Sequence, residues 1–196
     1  MITEVMKQIK IALLLLVFFT ILTGFIYPGV VTVIAQLICP WKANGSMIEQ
    51  NGKMVGSVLI GQSFTDVKYF WPRPSATTPY PYNAENSSGS NLGPSNSVLL
   101  SAVKDRVAAL KKTNPKSLIP VDLVTASGSG LDPEMSPLAA FYQVPRIAKA
   151  RHVSEKEIQA LVQDSIQPRS LGFLGEPRVN VMQLNLALDN LKISKG

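Results

Sequence analysis

The sequence predicts an α+β fold class, with one N-terminal transmembrane helix followed by a single mixed, loop-rich soluble domain. No charged residue occurs between Lys10 and Lys42, and the 196-residue chain is long enough for one domain and a short extra element. Downstream, several helical patterns and few strand patterns occur without the alternation typical of a parallel α/β sheet. We therefore assign residues 1–41 to the N-terminal tail and anchor, and residues 42–196 to the soluble domain.

The charge-free segment is long enough to cross a bilayer. Its first part, residues 11–19, reads IALLLLVFF, and about 20 apolar residues suffice to span a hydrocarbon core. We expect a helix from near Met6 to the high thirties, bent around Tyr27-Pro28-Gly29 because proline interrupts helical hydrogen bonds. A cleaved signal peptide or a lipoprotein signal is disfavoured, since no small-x-small site closes the run and Cys39 follows Gln36-Leu37-Ile38.

Basic residues flank the N-terminal end of this anchor. Lys7 and Lys10 favour a cytoplasmic N-terminus, which makes the soluble domain extracytoplasmic. The formal net charge is +6, but the basic residues are dispersed among acidic ones without an arginine-rich run. This pattern favours a solvated basic surface that meets membrane lipid over a nucleic-acid site. The single cysteine, Cys39, excludes an internal disulfide.

The first half of the soluble domain reads as a connector, a strand and a long loop. Residues 43–53 are polar and contain two glycines, which suits a connector. Residues 55–64 read VGSVLIGQSF and predict a buried strand. Residues 71–96 hold five prolines, which exclude a helix, and their aromatic residues Trp71 and Tyr80 indicate that the loop packs on something.

The second half predicts four helices and one further strand. Ser136 before Pro137 is an N-cap signal, and Ser154 with Glu157 forms a capping box. Apolar residues recur at helical spacing in the remaining helical segments. The predicted elements are helices at residues 97–112, 136–151, 154–164 and 180–191, and a strand at residues 121–126.

Candidate catalytic groups are sparse. Ser127 and Ser129 lie in a glycine-rich turn, and His152 is the only histidine that could act as their base. Thr125 stands where the nucleophile-elbow pattern G-x-S-x-G requires its first glycine, so turn chemistry explains these serines better. One cysteine and one histidine cannot form a zinc site alone, and no P-loop pattern occurs. We therefore assign no catalytic and no metal-binding residue.

The anchor cannot conduct an ion by itself. Its polar side chains, such as Thr20, Thr23 and Gln36, are spread around one helix. An ion path needs a ring of oxygen ligands or compensating charges, and one helix cannot enclose it. The sequence thus indicates a single-span protein with a loop-rich domain and no catalytic set of its own, which suggests an accessory subunit.

Several sequence blocks in fixed order match a known family. Residues 61–64 (GQSF) and 69–77 (YFWPRPSAT) resemble the family pattern G-Q-x-F…Y-F-x-x-R-P-S-A. Further matching blocks follow in order at residues 82–83, 90–96, 120–133, 143–151, 171–181 and 184–185. Through these blocks the chain resembles the C subunit of the Kdp-type potassium-transporting ATPase, from the anchor to the last helix.

The resemblance implies a complex in the bacterial plasma (inner) membrane that hydrolyses ATP to import potassium at high affinity. In that family a channel-like subunit holds the potassium path, a P-type subunit hydrolyses ATP, and a small single-span subunit is a further partner. The C subunit is implied to be a non-catalytic assembly factor and a catalytic chaperone that raises the ATP affinity of the P-type subunit.

Two sets of candidate site residues accompany this resemblance. The family's Ser-Gly-Gly-Ser-like loop, to which a nucleotide contact is attributed, corresponds here to Ser87, Ser88, Gly89, Ser90 and Asn91, with Ser88 in place of one glycine. Without the family, these small residues indicate an anion nest or a plain loop. The candidate partner contacts are Trp71, Arg73, Arg146 and Arg178.

The implied nucleotide contact conflicts with the predicted topology, because ATP is scarce outside the cytoplasm. Either the soluble domain is cytoplasmic, or the chaperone effect acts through the membrane helix and the partner subunits. We prefer the second, with the domain resting on the channel-like subunit near its ion entrance. The alternatives are a membrane-anchored serine hydrolase that uses Ser127 or Ser129 with His152, and a purely structural cap of the complex.

Overall fold

The computed structural model of the chain describes residues 1–115 and 117–191. The chain divides into two compact units, Met1–Val55 and Gly56–Gly196. Long helices and two small two-stranded sheets make up their regular structure within the described residues, which confirms the predicted α+β class. The boundary between residues 41 and 42 was assigned from the expected membrane, and it stays a prediction.

The first unit is dominated by one apolar helix. The helix is long and apolar enough to cross a membrane, and its most apolar window is 0% buried. It begins a few residues before the expected start near Met6. Its parts are α1 (Ile2–Ile21), a π-helical turn (Leu22–Ile26) and α2 (Tyr27–Ile38).

The π-helical turn lies just before Pro28. Proline has no N–H, and its ring clashes with the carbonyl of the residue four positions earlier, which is Gly24 here. The Tyr27 N–H donates to the Leu22 carbonyl, five positions back instead of four, so the helix is widened at this point. The structure thus shows a widened turn on the N-terminal side of residues 27–29, and the bend expected there stays a prediction.

A short helix and a hairpin follow the apolar helix. Asn51 and Gly52 join the two strands with φ angles of 53° and 73°, the left-handed pair that a two-residue hairpin turn requires. The predicted connector at residues 43–53 is therefore wrong, because this Asn-Gly turn pairs the segment with the next one. The elements are α3 (Pro40–Ala43), β1 (Met47–Gln50) and β2 (Lys53–Ser57).

The strand predicted at residues 55–64 ends at Ser57. Gly61 is buried where an added Cβ would come within 2.4 Å of the Tyr82 ring. The Gly61 N–H donates to the Leu131 carbonyl at 2.8 Å. Close packing of this segment against other parts of the second unit takes the place of hydrogen bonds to a neighbouring strand. Most of this strand prediction is therefore wrong.

Four helices form the core of the second unit, as predicted. They are α4 (Ser97–Thr113), α5 (Pro137–Arg151), α6 (Glu155–Asp164) and α7 (Val181–Asn190). α5 is the most buried of them, and its start is capped by Ser136 Oγ, which accepts from the Ala139 N–H at 3.1 Å. Phe70, Ile147 and Leu184 are each 0% exposed and bring a loop, α5 and α7 into one apolar core.

The second predicted strand, at residues 121–126, is wrong. Val121–Leu123 is a 3₁₀ turn, and short apolar runs do not distinguish a strand from a buried turn. The sheet in this unit is instead formed by β3 (Glu134–Met135) and β4 (Val179–Asn180), which pair in antiparallel register. Strands of two residues each are too short to give a periodic sequence signal.

The predicted capping box at the start of α6 is confirmed. Ser154 Oγ accepts from the Glu157 N–H at 3.2 Å, and Glu157 Oε2 accepts from the Ser154 hydroxyl at 2.7 Å and the Ser154 N–H at 3.0 Å. These hydrogen bonds, first from the side chain and then from the backbone of Ser154, hold the pKa of Glu157 below its ordinary value of 4.5. The carboxylate form is thus favoured by folding.

Acidification is expected to weaken the start of α6 through this group. Because its folded pKa is depressed, Glu157 contributes stability above its unfolded pKa that is lost as the pH falls through the folded pKa. Glu157→Gln keeps the capping geometry but cannot titrate. Between about pH 6 and about pH 3 we expect the Tm of the purified full chain to fall more than that of Glu157→Gln. Equal decreases in the two proteins would contradict this role.

Candidate functional site

Two side-chain amides from the core helices hold the long loop that follows the hairpin, residues 58–96. Asn185 of α7 accepts from the Phe70 N–H at 2.8 Å and donates to the Phe70 carbonyl at 3.0 Å. Gln143 of α5 pairs in the same way with the backbone of Trp71, at 2.8 and 3.1 Å. Both amides are 2% exposed. This pair, which we call the amide clamp, binds the loop backbone much as a neighbouring β-strand would.

Arg146 of α5 holds the same loop with a charged group. Its guanidinium donates to the carbonyls of Val67 and Tyr69, the latter at 3.0 Å, and to Gln143 Oε1 at 2.6 Å. The guanidinium carbon lies 3.7 Å from the centroid of the Trp71 ring, a cation–π distance. Burial lowers the pKa of Arg146 from its ordinary value to about 10. Two of the candidate partner contacts, Trp71 and Arg146, thus bind each other within the chain.

The other two candidates, Arg73 and Arg178, line one open groove of about 760 Å³. Arg73 pairs with Asp132 at 2.7 Å, and Arg178 pairs with Glu134 at 2.7 Å. All four side chains are between 25% and 36% exposed. Arg73 and Arg178 are therefore presented on one face with their charges already paired, which suits contact with another protein more than capture of a free ion.

Tyr82 supports the backbone of Arg73. Its hydroxyl donates to the Arg73 carbonyl at 2.6 Å. Burial first, and then the negative charge of Asp132, raise the pKa of Tyr82 far above its ordinary value. The phenol therefore stays a neutral hydrogen-bond donor at physiological pH.

The loop of Ser87 to Asn91 lies directly against the glycine-rich turn. Its Ser88 N–H and Ser87 hydroxyl both donate to the Ser129 carbonyl, at 2.9 and 3.0 Å. An added Cβ on Gly89 would lie 2.8 Å from the Gly128 carbonyl oxygen, so only glycine fits there. Within the described residues, the N–H groups of residues 89–91 have no recorded partner, and these amides are what an anion would meet.

The candidate nucleophiles are occupied by turn hydrogen bonds. Ser127 Oγ accepts from the Gly130 N–H at 2.9 Å, and Ser129 Oγ accepts from the Leu131 N–H at 3.1 Å. His152 is exposed and ends α5 in the left-handed conformation. Across the described parts of the chain, no recorded hydrogen bond joins His152 to either serine, and no group of three metal-type ligands occurs. The arrangement is that of a folded turn.

Gln143 and Asn185 are not among the site residues predicted from the sequence. Both sit among apolar neighbours inside helices, Gln143 after Tyr142 and Asn185 after Leu184. A lone amide on the buried face of a helix indicates a backbone partner elsewhere, because a buried polar group without one is costly. That signal was present, but it does not say which segment is bound.

Comparison with known proteins gives consistent matches over nearly the whole chain. The model of the family KdpC, described as K+-transporting ATPase, c chain, matches residues 9–190. The chain is 54% identical to the potassium-transporting ATPase KdpC subunit of Rhodopseudomonas palustris (strain BisB18), over 95% of this chain and 100% of that protein. It is 58% identical to the potassium-transporting ATPase KdpC subunit of Herpetosiphon aurantiacus, over 92% of this chain and 95% of that protein.

Proposed function

The chain belongs to the KdpC family, the c chain of K+-transporting ATPases, and is an accessory subunit of a potassium pump; from this premise we propose that it stabilises assembly of the pump and acts as its catalytic chaperone. In this role the chain performs no catalysis. It raises the ATP affinity of the P-type subunit, which hydrolyses ATP in a high-affinity import complex.

The observation that best supports this proposal is how the soluble unit uses its polar side chains. Gln143, Arg146 and Asn185 bind the backbone of the long loop, and Ser127 and Ser129 bind the backbone of their own turn. These groups fix the shape of a surface and leave no base paired with a nucleophile among the described residues. A unit whose polar side chains are used in this way suits a binding subunit better than an enzyme.

The apolar helix supports the same accessory role, because it offers no potassium path of its own. The hydroxyl of Thr23 donates to the Phe19 carbonyl of its own helix at 2.6 Å. One helix with its few hydroxyl groups spread around it provides no ring of oxygen ligands for potassium. In this proposal the potassium path belongs to a channel-like subunit, and the small single-span subunit is a further membrane partner.

The proposed location is the bacterial plasma membrane, with a cytoplasmic N-terminus beside Lys7 and Lys10 and the soluble unit outside. The soluble unit then rests on the channel-like subunit near its ion entrance. Its effect on ATP affinity travels through the membrane helix and the partner subunits. Photo-crosslinking with an azido-ATP analogue is expected to label the P-type subunit only. Labelling within residues 87–91 would instead establish the direct nucleotide contact.

The main experiment compares pump complexes purified with and without this chain. We expect removal to reduce recovery of the P-type and channel-like subunits. In the complex that remains, the KM for ATP should rise with little change in kcat at saturating ATP. Poor recovery with an unchanged KM would reduce the role to a purely structural cap. Absence of the chain from the purified pump would overturn the proposal.

His152→Ala tests the serine-hydrolase alternative. Loss of a general base typically lowers a rate about a hundredfold or more. Because the His152 side chain is exposed, and only the backbone N–H of this residue donates a hydrogen bond, to the Ala148 carbonyl, we expect potassium-dependent ATP hydrolysis by the assembled complex to stay near normal. A large loss of turnover with intact assembly would overturn the accessory assignment of this residue.

A further inference from the structure

A break in helical structure separates the apolar helix from the short helix α3. Cys39 has a φ of −144° and a ψ of 63°, outside the helical region. The ring of Pro40 disfavours helical geometry in the residue before it, whereas Pro40 itself suits the first position of α3. The break therefore follows from the presence of Pro40, close to the end of the charge-free segment.

Side chains on the two sides of this break are joined. Gln36 of α2 and Asn44, which follows α3, exchange two amide hydrogen bonds at 3.1 and 3.3 Å. The Asn44 amide also donates to the Pro40 carbonyl at 2.8 Å. Each amide of the pair uses a donor and an acceptor at once, so the two bonds restrict both the separation and the orientation of the segments that carry them.

A second set of contacts joins α3 to the hairpin. The Trp41 indole N–H donates to the Met47 carbonyl of β1 at 2.9 Å, and the Ser46 N–H donates to the Trp41 carbonyl at 3.0 Å. Gly45 and Ser46 have φ angles of 85° and 52°. Serine adopts this left-handed region rarely, and Ser46 is 2% exposed, so its surroundings hold it there. We call residues 36–47 the elbow.

We propose that the elbow is a rigid coupling element, which fixes the angle between the membrane helix and the hairpin and so carries the effect of the chain on ATP affinity into the membrane. This inference rests on the proposed function, in which that effect travels through the membrane helix. A flexible connector of eight residues, the length from Cys39 to Ser46, would leave its ends about 15 Å apart on average and free to rotate. Such a connector would transmit no change of orientation.

The position of the elbow in the chain strengthens its contacts. Trp41 and Lys42 follow the charge-free segment directly, and both residue types are anchors at a membrane–water interface. Trp41 is 51% exposed while its N–H stays bonded to Met47, so the ring is available to headgroups. Near hydrocarbon, water is a scarcer alternative partner for amides, which favours the Gln36–Asn44 pair over solvation of its two members.

The first test measures the KM for ATP of the purified complex with a double variant of the elbow. Trp41→Phe removes the indole N–H but keeps an aromatic ring, and Asn44→Ala in the same chain removes the amide pair. Couplings between distant sites typically change an affinity by about 5–150-fold. We therefore expect the KM for ATP to rise about fivefold or more, with kcat and subunit recovery unchanged. Lys42→Ala, at an exposed position of the same short helix, is the matched control and should keep a native KM.

Spin labels measure the rigidity of the elbow directly. They are attached at Thr32→Cys in α2 and Glu49→Cys in β1, two exposed positions, in a Cys39→Ser background because Cys39 is the only native cysteine. Double electron–electron resonance on the full chain in lipid nanodiscs should give one narrow distance distribution, which broadens when Trp41→Phe and Asn44→Ala are added. A distribution as broad without these two changes as with them would overturn the inference.

The kinetic outcomes separate this inference from the proposed function. A native KM in the double variant, or an equal rise in Lys42→Ala, would overturn the coupling role. Loss of subunit recovery in the double variant would assign the elbow to assembly and overturn it as well. If removal of the whole chain left the KM for ATP unchanged, the proposed function itself would fail instead.

Discussion

Replacement of Asn185 by leucine is expected to destabilise the chain by about 3 kcal/mol or more, because it leaves two buried backbone groups without a partner. The Asn185 amide is 2% exposed and pairs with both the N–H and the carbonyl of Phe70. Each buried polar group left unpaired costs about 1–3 kcal/mol, and there are two. Leucine has the same number and branching of side-chain heavy atoms but is bulkier, so no cavity is left and tighter packing can only add to the loss.

Denaturant unfolding of the purified full chain in detergent measures this change. Asn190→Leu is the matched control, since Asn190 lies exposed at the last residue of the same helix. The control should stay within about 0.5 kcal/mol of the native chain. If Asn185→Leu were as stable as the control, Asn185 would not be needed to hold the loop, and Gln143 and Arg146 would hold it without this residue.

Arg146→Met is expected to destabilise the chain by about 2–4 kcal/mol, since hydrogen bonds from a charged group contribute about 1.5–3 kcal/mol each. The substitution removes donors to the Val67 and Tyr69 carbonyls and the cation that lies over the Trp71 ring. One effect opposes this loss. Burial disfavours the charged guanidinium, as its lowered pKa of about 10 indicates, so removing the charge recovers part of the desolvation cost.

Arg146→Lys separates geometry from charge. Lysine keeps the charge but lacks the planar fork that reaches several acceptors and stacks on an aromatic ring. We expect Arg146→Lys to lose most of the stability that Arg146→Met loses. Lys149→Met, on an exposed position of α5, should change the unfolding midpoint little. If Arg146→Lys were as stable to unfolding as the native chain, charge alone, without the fork geometry, would hold the loop.

Local signals in the sequence identified the helices well. Ser136 and Ser154 start their helices where predicted, because a cap depends only on residues within one turn. The Asn51-Gly52 pair is an equally local hairpin signal, and it outweighs the polar composition that favoured a connector at residues 43–53. The predicted strand at residues 121–126 failed because tertiary packing decides the conformation of a short apolar run.

The candidate site was less accessible to sequence reasoning, because its contacts join distant segments. Trp71 and Arg146 were both singled out as partner contacts, but nothing in their spacing shows that they stack on each other. Arg73 and Arg178 are paired with acids in one groove, which the sequence does not reveal. Leu171 has a φ of 53°, in the left-handed region, and a sequence that contains leucine there gives no sign of this conformation.

The amide clamp joins parts of the chain that a ribosome makes at very different times. Phe70 and Asn185 are 115 positions apart, and Trp71 and Gln143 are 72 positions apart. Such non-local contacts slow folding, because loop closure must precede the contact that compensates for it. The long loop therefore emerges well before the helix that fixes it, and the subunit acquires its finished surface only once α7 has been synthesised.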